Sequence, residues 1–182
     1  MIPILLCSVI SVAVIIERSI SLRRRRVLPP RLRPLLKGAE LSPPPPDPSP
    51  LGELLNCGFL HRKEDREQAE NALQFTIKRI ANRLERGLVL LEIVAVISPL
   101  LGLLGTVIGM VQVFNVISQL GVGHAQALSG GISQALISTI AGLVVAIPAL
   151  VAYSIYTRVV DALLMELEEA SSLLLNRLYP GQ

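Results

Sequence analysis

The chain has 182 residues, of which 51% are hydrophobic, and its mean hydropathy is +0.57. Its 17 Lys and Arg residues outnumber its 14 Asp and Glu residues, which gives a formal net charge of +3. This composition excludes an ordinary globular enzyme and indicates a small integral membrane protein of the all-α class. The sequence contains no Gly-x-x-x-x-Gly-Lys-[Ser/Thr] phosphate loop, so we do not expect ATP to be its energy source.

Residues 1–22 are predicted to form the first transmembrane helix. The apolar run Ile2–Ile16 is followed by Glu17 and Arg18, and then by consecutive arginines from Arg23 to Arg26. A cleavable signal peptide carries its positive charges before the apolar run, so this segment is better interpreted as a membrane span. The basic end of the helix is predicted to face the cytoplasm, which leaves the N-terminus outside.

Residues 23–61 are predicted to be a basic, proline-rich cytoplasmic linker. The run Pro43–Pro46 and its neighbouring prolines favour extended chain that acts as a spacer, and a ligand for an SH3-type domain is the alternative. The basic residues lie beside a predicted span and are not interleaved with aromatic residues. We therefore attribute them to membrane topology and contact with anionic membrane lipids, and we do not expect nucleic-acid binding.

Residues 62–120 are predicted to be one cytoplasmic helix that continues without a break into the second transmembrane helix. Apolar residues recur along it at steps of three or four: Leu73, Ile77, Ile80, Leu84, Leu88 and Leu91. Such a stripe indicates a helix with one face packed against a neighbour.

Residues 158–182 are predicted to form a C-terminal cytoplasmic helix, whose apolar stripe is Val160, Leu163, Leu164, Leu167, Ala170 and Leu174. Because this helix is acidic and the preceding cytoplasmic helix is basic, we predict that the two pack together and that charge selects the pairing. The predicted charge contacts join basic residues of one helix to acidic residues of the other: Arg79, Arg83 and Arg86 with Asp161, Glu166 and Glu169.

The segment from Ile93 to Thr157 contains no Asp, Glu, Lys or Arg. Each half exceeds the roughly 20 residues that a membrane-spanning helix needs, and Gly121-Val122-Gly123 is a natural turn between them. We predict a transmembrane hairpin with an external turn at 121–127 and a third span at 128–157. Because 14 of the 17 Lys and Arg lie between Arg23 and Arg86, the hairpin tip is predicted outside and the C-terminus inside.

Both arms of the hairpin present a face of small, weakly polar residues. The first face, about 120° wide, contains Gly102, Gly105, Thr106, Gly109 and Gln112. The second, about 100° wide, contains Gly131, Ala135, Ser138, Thr139, Gly142, Ala146 and Ala149. Thr106 and Thr139 are equally far from the turn, so we expect them at one depth in the bilayer, and Pro99 is similarly level with Pro148. Such faces can join helices or line a path for a charged group, and periodicity alone does not decide between these functions.

A protein that moves protons normally carries an ionisable side chain within the bilayer, and this hairpin has none. The hydroxyl of a threonine does not titrate near neutral pH, so it can orient a proton-bearing neighbour but cannot carry the charge. Our hypothesis is that, if the chain moves protons, a second polypeptide supplies the carboxylate.

The residues that could bind a metal or act as nucleophiles are predicted to lie far apart. Cys7 lies in the first span and Cys57 in the cytoplasmic linker, so we expect neither a disulfide nor a zinc site. His61 and His124 are predicted on opposite sides of the membrane. We therefore expect no cofactor, no metal and no enzymatic activity.

Two motifs of the hairpin carry a resemblance to a known family. The first is Pro99-Leu-Leu-Gly-Leu-Leu-Gly-Thr-Val-Ile-Gly-Met110, and the second pairs Gly131-Ile-Ser-Gln-Ala-Leu-Ile-Ser-Thr139 with Gly142-Leu-Val-Val-Ala-Ile-Pro148. Together they resemble the MotA/TolQ/ExbB proton-channel family. Three predicted spans and a modest cytoplasmic loop are most similar to its ExbB members and next to TolQ, and the resemblance covers Leu84 to about Leu174.

The resemblance implies a ring-shaped homo-oligomer, a pentamer, in the bacterial inner membrane. The ring would surround the single membrane helices of an ExbD-like or TolR-like partner that carries an essential membrane aspartate. Proton entry at that aspartate would drive rotation, and a TonB-like or TolA-like protein would pass the work to the outer membrane. The proton motive force would then power TonB-dependent transport.

The resemblance also implies roles for residues. The family's two pore-facing threonines map onto Thr106 and Thr139, and the predicted pore-lining set also includes Gln134 and Ser138. The positions predicted for helix packing and kinks are small residues and prolines: Pro99, Gly102, Gly105, Gly109, Gly142, Ala146 and Pro148.

One residue departs from the family pattern, because many members have a glutamate where this chain has Gln134. Its absence favours a carboxylate supplied by a partner. A TolQ-like role in envelope integrity and cell division is an alternative function, and a flagellar stator is a further one. From another class, a passive helical scaffold would use the small-residue faces only to join helices.

Overall fold

The computed structural model describes residues 1–32, 34, 45, 47–120 and 125–180, and every regular element in these residues is an α-helix. The helices are α1 (Ile2–Ser21), α2 (Arg24–Val27), α3 (Pro50–Leu60), α4 (Arg66–Glu85), α5 (Leu88–Leu120) and α6 (Ala125–Leu178). Of the external turn predicted at 121–127, residues 121–124 lie outside the described residues, and residues 125–127 already belong to α6, which corrects the predicted start of the third transmembrane helix at 128. Most of the proline-rich segment between 33 and 46 also lies outside the described residues.

The chain forms two compact units. The apolar unit comprises Met1–Glu17 and Gly87–Ile155, and the charged unit comprises Arg18–Arg86 and Tyr156–Gln182. The sequence of the apolar unit contains two ionisable acidic residues, Glu17 and Glu92, and no Lys or Arg. The division therefore follows the change in composition along the chain.

Three helical segments are long and apolar enough to cross a membrane: Ile2–Ser21, Leu88–Gln119 and Ser129–Leu178. This confirms the prediction of an all-helical chain with three candidate spans. Large apolar side chains such as Leu100, Val107 and Ile140 are more than half exposed. An apolar surface of this kind is stable against lipid but not against water.

Within the apolar unit, α5 and α6 approach each other closely at glycines. A methyl group on Gly142 would lie 2.5 Å from the Ser98 carbonyl oxygen, and one on Gly102 would lie 3.1 Å from the Thr139 Cα. A methyl group on Gly109 would lie 2.9 Å from the Ala135 Cβ. The two backbones are therefore nearly in contact, as small residues at membrane-helix interfaces permit.

Helix α3 corrects the prediction that residues 23–61 are an unstructured linker. The Ser49 hydroxyl accepts a hydrogen bond from the Gly52 N–H at 3.2 Å, and Pro50 occupies the first turn. A serine N-cap followed by proline is a strong helix-start signal, because the proline lacks an N–H that would be unpaired there. Ser49-Pro50 carries this signal in the sequence, but the surrounding prolines favour the interpretation as extended chain.

The prediction of one unbroken helix over residues 62–120 is wrong, because α4 begins only at Arg66 and the helix is interrupted after Glu85. Helix α4 ends at Glu85 and α5 begins at Leu88, with a turn at Arg86 and Gly87. Glycine disfavours helix by about 1 kcal/mol relative to alanine, which accounts for the interruption. Conversely, α6 runs without interruption through residues 157 and 158, where the sequence predicted separate membrane and cytoplasmic helices.

The core of the charged unit consists of α3, the C-terminal stripe and the first stripe as far as Leu84, since Leu88 and Leu91 belong to the apolar unit. Leu73, Ile80, Leu167 and Leu174 are all less than 2% exposed. Every member of the first stripe is buried, and so is every member of the second except half-buried Leu164. Arg66 Nη2 donates to Asn176 Oδ1 at 3.4 Å, so α4 and the C-terminal part of α6 are neighbours as predicted. Unexpectedly, α3 joins them, since Gly58 lies against the Leu174 side chain.

The glycine contact between α5 and α6 predicts the effect of one added methyl group. In Gly142→Ala the methyl group must displace backbone atoms of Ser98 and Gly102, which cannot move as a flexible side chain does. We expect destabilisation of about 1–3 kcal/mol, measured by unfolding in detergent.

Gly130→Ala is the matched control, because a methyl group there meets nothing within 4 Å and α6 gains helix propensity. We expect this variant to be as stable as wild type or slightly more stable. Equal destabilisation by both substitutions would contradict the proposed close contact at Gly142.

Candidate pore-lining site

Three half-buried hydroxyls lie on the facing arms of α5 and α6. The Thr106 hydroxyl donates to the Leu103 carbonyl oxygen of its own helix at 2.7 Å, and the Ser138 hydroxyl donates to the Gln134 carbonyl oxygen at 3.2 Å. The Thr139 hydroxyl instead donates across to the Gly102 carbonyl oxygen of α5 at 3.5 Å. Each hydroxyl proton is therefore directed at a backbone carbonyl, and each oxygen keeps lone pairs that can accept a hydrogen bond.

The contacts between the arms lie close to the expected register. Gly109 faces Ala135, and Gly105 faces Ser138, whose hydroxyl lies 2.9 Å from the position of a methyl group on Gly105. The Thr139 hydroxyl contacts the carbonyl oxygen of Gly102. Thr106 and Thr139 are thus within about two residues of level, or about 3 Å along the helix axis.

The remaining predicted positions divide between the seam of α5 and α6 and the outer surface. Gly102, Gly109, Gly142 and Ala146 are buried at the seam, and Gly105 is half-buried. Gln134 is exposed on the surface of α6. Its amide is polar but cannot exchange a proton near neutral pH, so the seam of α5 and α6 offers hydrogen-bonding groups and no carboxylate from Ile93 to Thr157.

The two prolines lie inside helices, Pro99 in α5 and Pro148 in α6. Each removes one backbone N–H donor, which leaves the carbonyl of the preceding turn without its helical partner. Pro99 is half-buried and Pro148 is exposed. Carbonyls released in this way are tolerated in a membrane only where protein or water can reach them.

Ser98 was not singled out from the sequence, although it lies on the same helical face as Gly102, Gly105 and Gly109. It is 0% exposed, and its hydroxyl has no hydrogen-bond partner among the described residues. The periodicity of the small-residue face was the signal that could have found it. Its position next to Gly142 makes it part of the same seam.

The charge contacts differ from the predicted pairs. Arg79 and Arg83 both bind the Glu53 carboxylate of α3, the latter at 2.5 Å. Glu166 pairs with Arg24 at 2.7 Å, whereas Arg86, Asp161 and Glu169 are exposed. Because α3 was not predicted, its carboxylate was not available as a partner in the sequence interpretation.

The environment of Glu53 shifts its protonation. Burial raises the pKa of the Glu53 carboxyl, but the hydrogen bonds and charges of Arg83 and Arg79 outweigh burial and place the pKa below its ordinary value of 4.5. Glu53 therefore remains ionised at neutral pH and holds α3 against α4.

Metal binding and thiol chemistry find no support in the described residues. Within them, no three His, Cys, Asp or Glu side chains lie close enough together to hold a metal ion. Cys7 and Cys57 are free cysteines. His61 Nδ1 lies 2.8 Å from the Cys57 carbonyl oxygen in the turn after α3, and His124 lies outside the described residues.

Two long helices that are joined through glycines, carry hydroxyls at the seam and contain no Asp, Glu, Lys or Arg from Ile93 to Thr157 are typical of a membrane protein. Residues 47–169 match the sequence profile of the MotA/TolQ/ExbB proton channel family. Since the match covers more than half of the chain, the protein belongs to this family. The curated relatives that it matches include several ExbB proteins.

Three relatives illustrate the similarity. Biopolymer transport protein exbB1 of Vibrio cholerae is 34% identical over 109 residues, which are 59% of this chain and 48% of that protein. Putative biopolymer transport protein ExbB-like 3 of Synechocystis is 33% identical over 174 residues, which are 85% of this chain and 79% of that protein. Biopolymer transport protein ExbB of Salmonella typhimurium is 36% identical over 99 residues, covering 52% and 41% of the two chains. The chain thus spans about half the length of some of these relatives and most of others.

The lowered pKa of Glu53 predicts how stability depends on pH. A carboxyl whose pKa is depressed in the folded state stabilises the fold above its unfolded pKa, and this contribution is lost as the pH falls through the folded value. We expect Glu53→Gln to lower stability by about 1 kcal/mol at pH 7. The difference from wild type should shrink as the pH falls below the ordinary value of 4.5.

Glu169→Gln is the matched control, because it removes the same charge from an exposed position. Thermal unfolding of both variants between pH 3 and pH 7 measures the comparison. A larger effect from Glu169 than from Glu53 would support the pairing predicted from the sequence and contradict the contact seen in the structure.

Proposed function

We propose that the protein is the proton-channel subunit of an energy-transducing complex in the bacterial inner membrane. The observation that carries this proposal is the combination, in one family member, of hydroxyls at the α5–α6 seam with no Asp, Glu, Lys or Arg from Ile93 to Thr157. Such a surface can line a path for protons but cannot hold one near neutral pH.

The distribution of charge supports a topology for this subunit. Lys and Arg are concentrated between Arg23 and Arg86, and the segment that joins the second and third candidate spans carries none. By the positive-inside rule, residues 23–86 and 158–182 lie in the cytoplasm, and the N-terminus and the 121–127 turn lie outside.

The missing carboxylate identifies the kind of partner that the site fits. In this proposal a single-span ExbD-like or TolR-like protein carries an aspartate into a ring of five copies of this chain. The aspartate takes a proton from water on the outer side and releases it to water on the inner side. The Thr106 and Thr139 oxygens and the Ser138 hydroxyl hydrogen-bond to the carboxyl group as it passes, and they neither gain nor lose a proton.

The free energy released by one proton is large enough to favour one of two conformational states of such a complex. One proton crossing a potential of about 100 mV releases about 2.3 kcal/mol, which shifts a two-state equilibrium by roughly fiftyfold. We propose that a TonB-like protein delivers this work to the outer membrane, since the relatives named ExbB are described as biopolymer transport proteins. A TolQ-like function in envelope integrity, with a TolA-like protein, is the second candidate, and identification of the protein that co-purifies with the chain distinguishes the two.

The hydroxyls of Thr106 and Thr139 are tested by isosteric replacement. Thr106→Val or Thr139→Val keeps the volume and removes the hydrogen-bonding oxygen. We expect an intact assembly and the loss of most proton-motive-force-dependent uptake, because the passing carboxyl group then meets an apolar wall. Uptake of a labelled outer-membrane ligand, normalised to the amount of assembled complex, measures the effect.

Ser154→Ala is the control, because this hydroxyl also lies on α6 and donates to a carbonyl of its own helix, Leu150, at 2.9 Å. We expect normal uptake in this variant. Normal uptake in both threonine variants would instead favour the passive scaffold.

The source of the carboxylate is tested by reconstitution. The chain purified alone and placed in liposomes should conduct few protons when a potential is imposed, since it has no carboxylate from Ile93 to Thr157. Co-reconstitution with the single-span partner should raise the flux measured by an internal pH dye, and the partner's Asp→Asn variant should not. Strong flux from the chain alone would refute the partner-supplied carboxylate.

A further inference from the structure

A strongly basic cavity lies in the charged unit, and neither the fold nor the proposed function accounts for it. Its volume is about 670 Å³, within the roughly 300–1,000 Å³ typical of small-ligand sites. Its lining includes five arginines and one carboxylate: Arg18, Arg25, Arg26, Arg31, Arg83 and Asp47. A cavity lined by several arginines attracts anions.

The carboxylate among the described lining residues, that of Asp47, already accepts hydrogen bonds from other residues of the chain. Asp47 Oδ2 accepts from Arg31 Nη2 at 2.6 Å, and Oδ1 accepts from the Ser49 N–H at 2.9 Å. The Ser49 N–H lowers the pKa of Asp47 more than burial raises it, and Arg31 lowers the pKa further. Asp47 is therefore ionised, and its charge is matched by Arg31.

Two of the other arginines also have structural partners. Arg18 is 9% exposed and donates from Nη1 to the Leu84 carbonyl oxygen at 3.2 Å, which fixes one wall of the cavity. Arg83 binds Glu53. Arg25 and Arg26 are both exposed, and within the described part of the chain neither forms an ion pair. Among the described residues, they are the lining cations without a carboxylate partner.

The location of the cavity along the chain indicates the source of the anion. Arg18 and Ser21 lie in the last turn of α1, directly after the apolar run of the first candidate span. The phosphates of a bilayer lie at the ends of such spans, and basic pockets at this level bind anionic headgroups. Val27, Pro29 and Leu84 add apolar lining that suits glycerol and the first acyl carbons.

We propose that this cavity binds the phosphate group of an anionic phospholipid, with Arg25 and Arg26 as its charged ligands. Arginine suits this role because its planar guanidinium can donate two parallel hydrogen bonds to phosphate oxygens. One lipid bound in this site would contact both the basic residues after α1 and the start of α3 at Pro50.

The test uses the full-length protein in a non-ionic detergent, with phosphatidylglycerol titrated into the micelles and bound lipid counted by native mass spectrometry. Wild type should retain phosphatidylglycerol in preference to zwitterionic phosphatidylcholine. Arg25→Gln/Arg26→Gln should weaken retention by about tenfold or more, because each cation near a lipid phosphate contributes substantially.

The matched control is Arg23→Gln/Arg158→Gln, which removes the same charge from exposed positions that do not line the cavity. It should bind within about twofold of wild type, since the screened charges lie away from the phosphate. Equal weakening in both double variants would overturn the proposal, because it would show attraction by net charge alone.

A second variant should strengthen lipid binding, so it tests the proposal even if Arg25→Gln/Arg26→Gln fails to fold. Asp47→Asn keeps the acceptor for the Ser49 N–H and removes the only negative charge among the described lining residues, so it should bind phosphatidylglycerol more tightly. Unchanged or weaker binding by this variant would overturn the proposal. So would binding of soluble glycerol 3-phosphate as tight as that of the lipid, which would assign the cavity to a soluble phosphate compound.

Discussion

The close approach of α5 and α6 is the contact on which the rest of the apolar unit depends. Lipid offers no hydrophobic drive for two helices to associate, so they are held by van der Waals contact over small residues. Gly102 and Gly142 provide that contact, because each brings backbone atoms of the opposite helix within reach of where a side chain would begin. The same approach brings the Thr139 hydroxyl to a carbonyl of α5.

The exclusion of charge from the membrane has a second consequence in the charged unit. Ionisable residues that cannot enter the bilayer are concentrated in Arg18–Arg86 and Tyr156–Gln182, where they must be arranged without mutual repulsion. Two carboxylates organise this arrangement, Glu53 by binding Arg79 and Arg83, and Asp47 by binding Arg31. Helix α3 and the chain just before it carry both carboxylates. The segment that the composition predicts to be a spacer thus supplies the carboxylates that pair with these arginines.

Features that depend on composition and periodicity could be predicted from the sequence. Features that depend on contacts between distant segments could not. The three candidate spans and the buried stripe that includes Leu73 and Ile80 follow from local pattern, and the structure confirms them. The register of the hairpin lies within about two residues of the count from the glycine turn, because both arms are regular helices with the same rise per residue. The partner of Arg79 was wrong because it lies on α3, whose only local signal is the cap at Ser49. Family membership followed from motifs, whereas the roles of Thr106 and Thr139 stay predictions.

The two threonines are bonded differently, and this gives the proposed channel a chemical asymmetry. The Thr106 hydroxyl donates its hydrogen bond within its own helix, to the Leu103 carbonyl oxygen at 2.7 Å. Its lone pairs can accept a hydrogen bond from a protonated carboxyl group, but in this arrangement it has no hydrogen to donate to a carboxylate. Thr139 donates across the seam at 3.5 Å, at the limit of a hydrogen bond, so its proton can turn toward a passing carboxylate at small cost. In the proposed function Thr106 therefore favours the neutral form of the partner's acid and Thr139 the ionised form. The two preferences lie on different helices, Thr106 on α5 and Thr139 on α6, so a carboxyl group that crosses the seam would meet one and then the other.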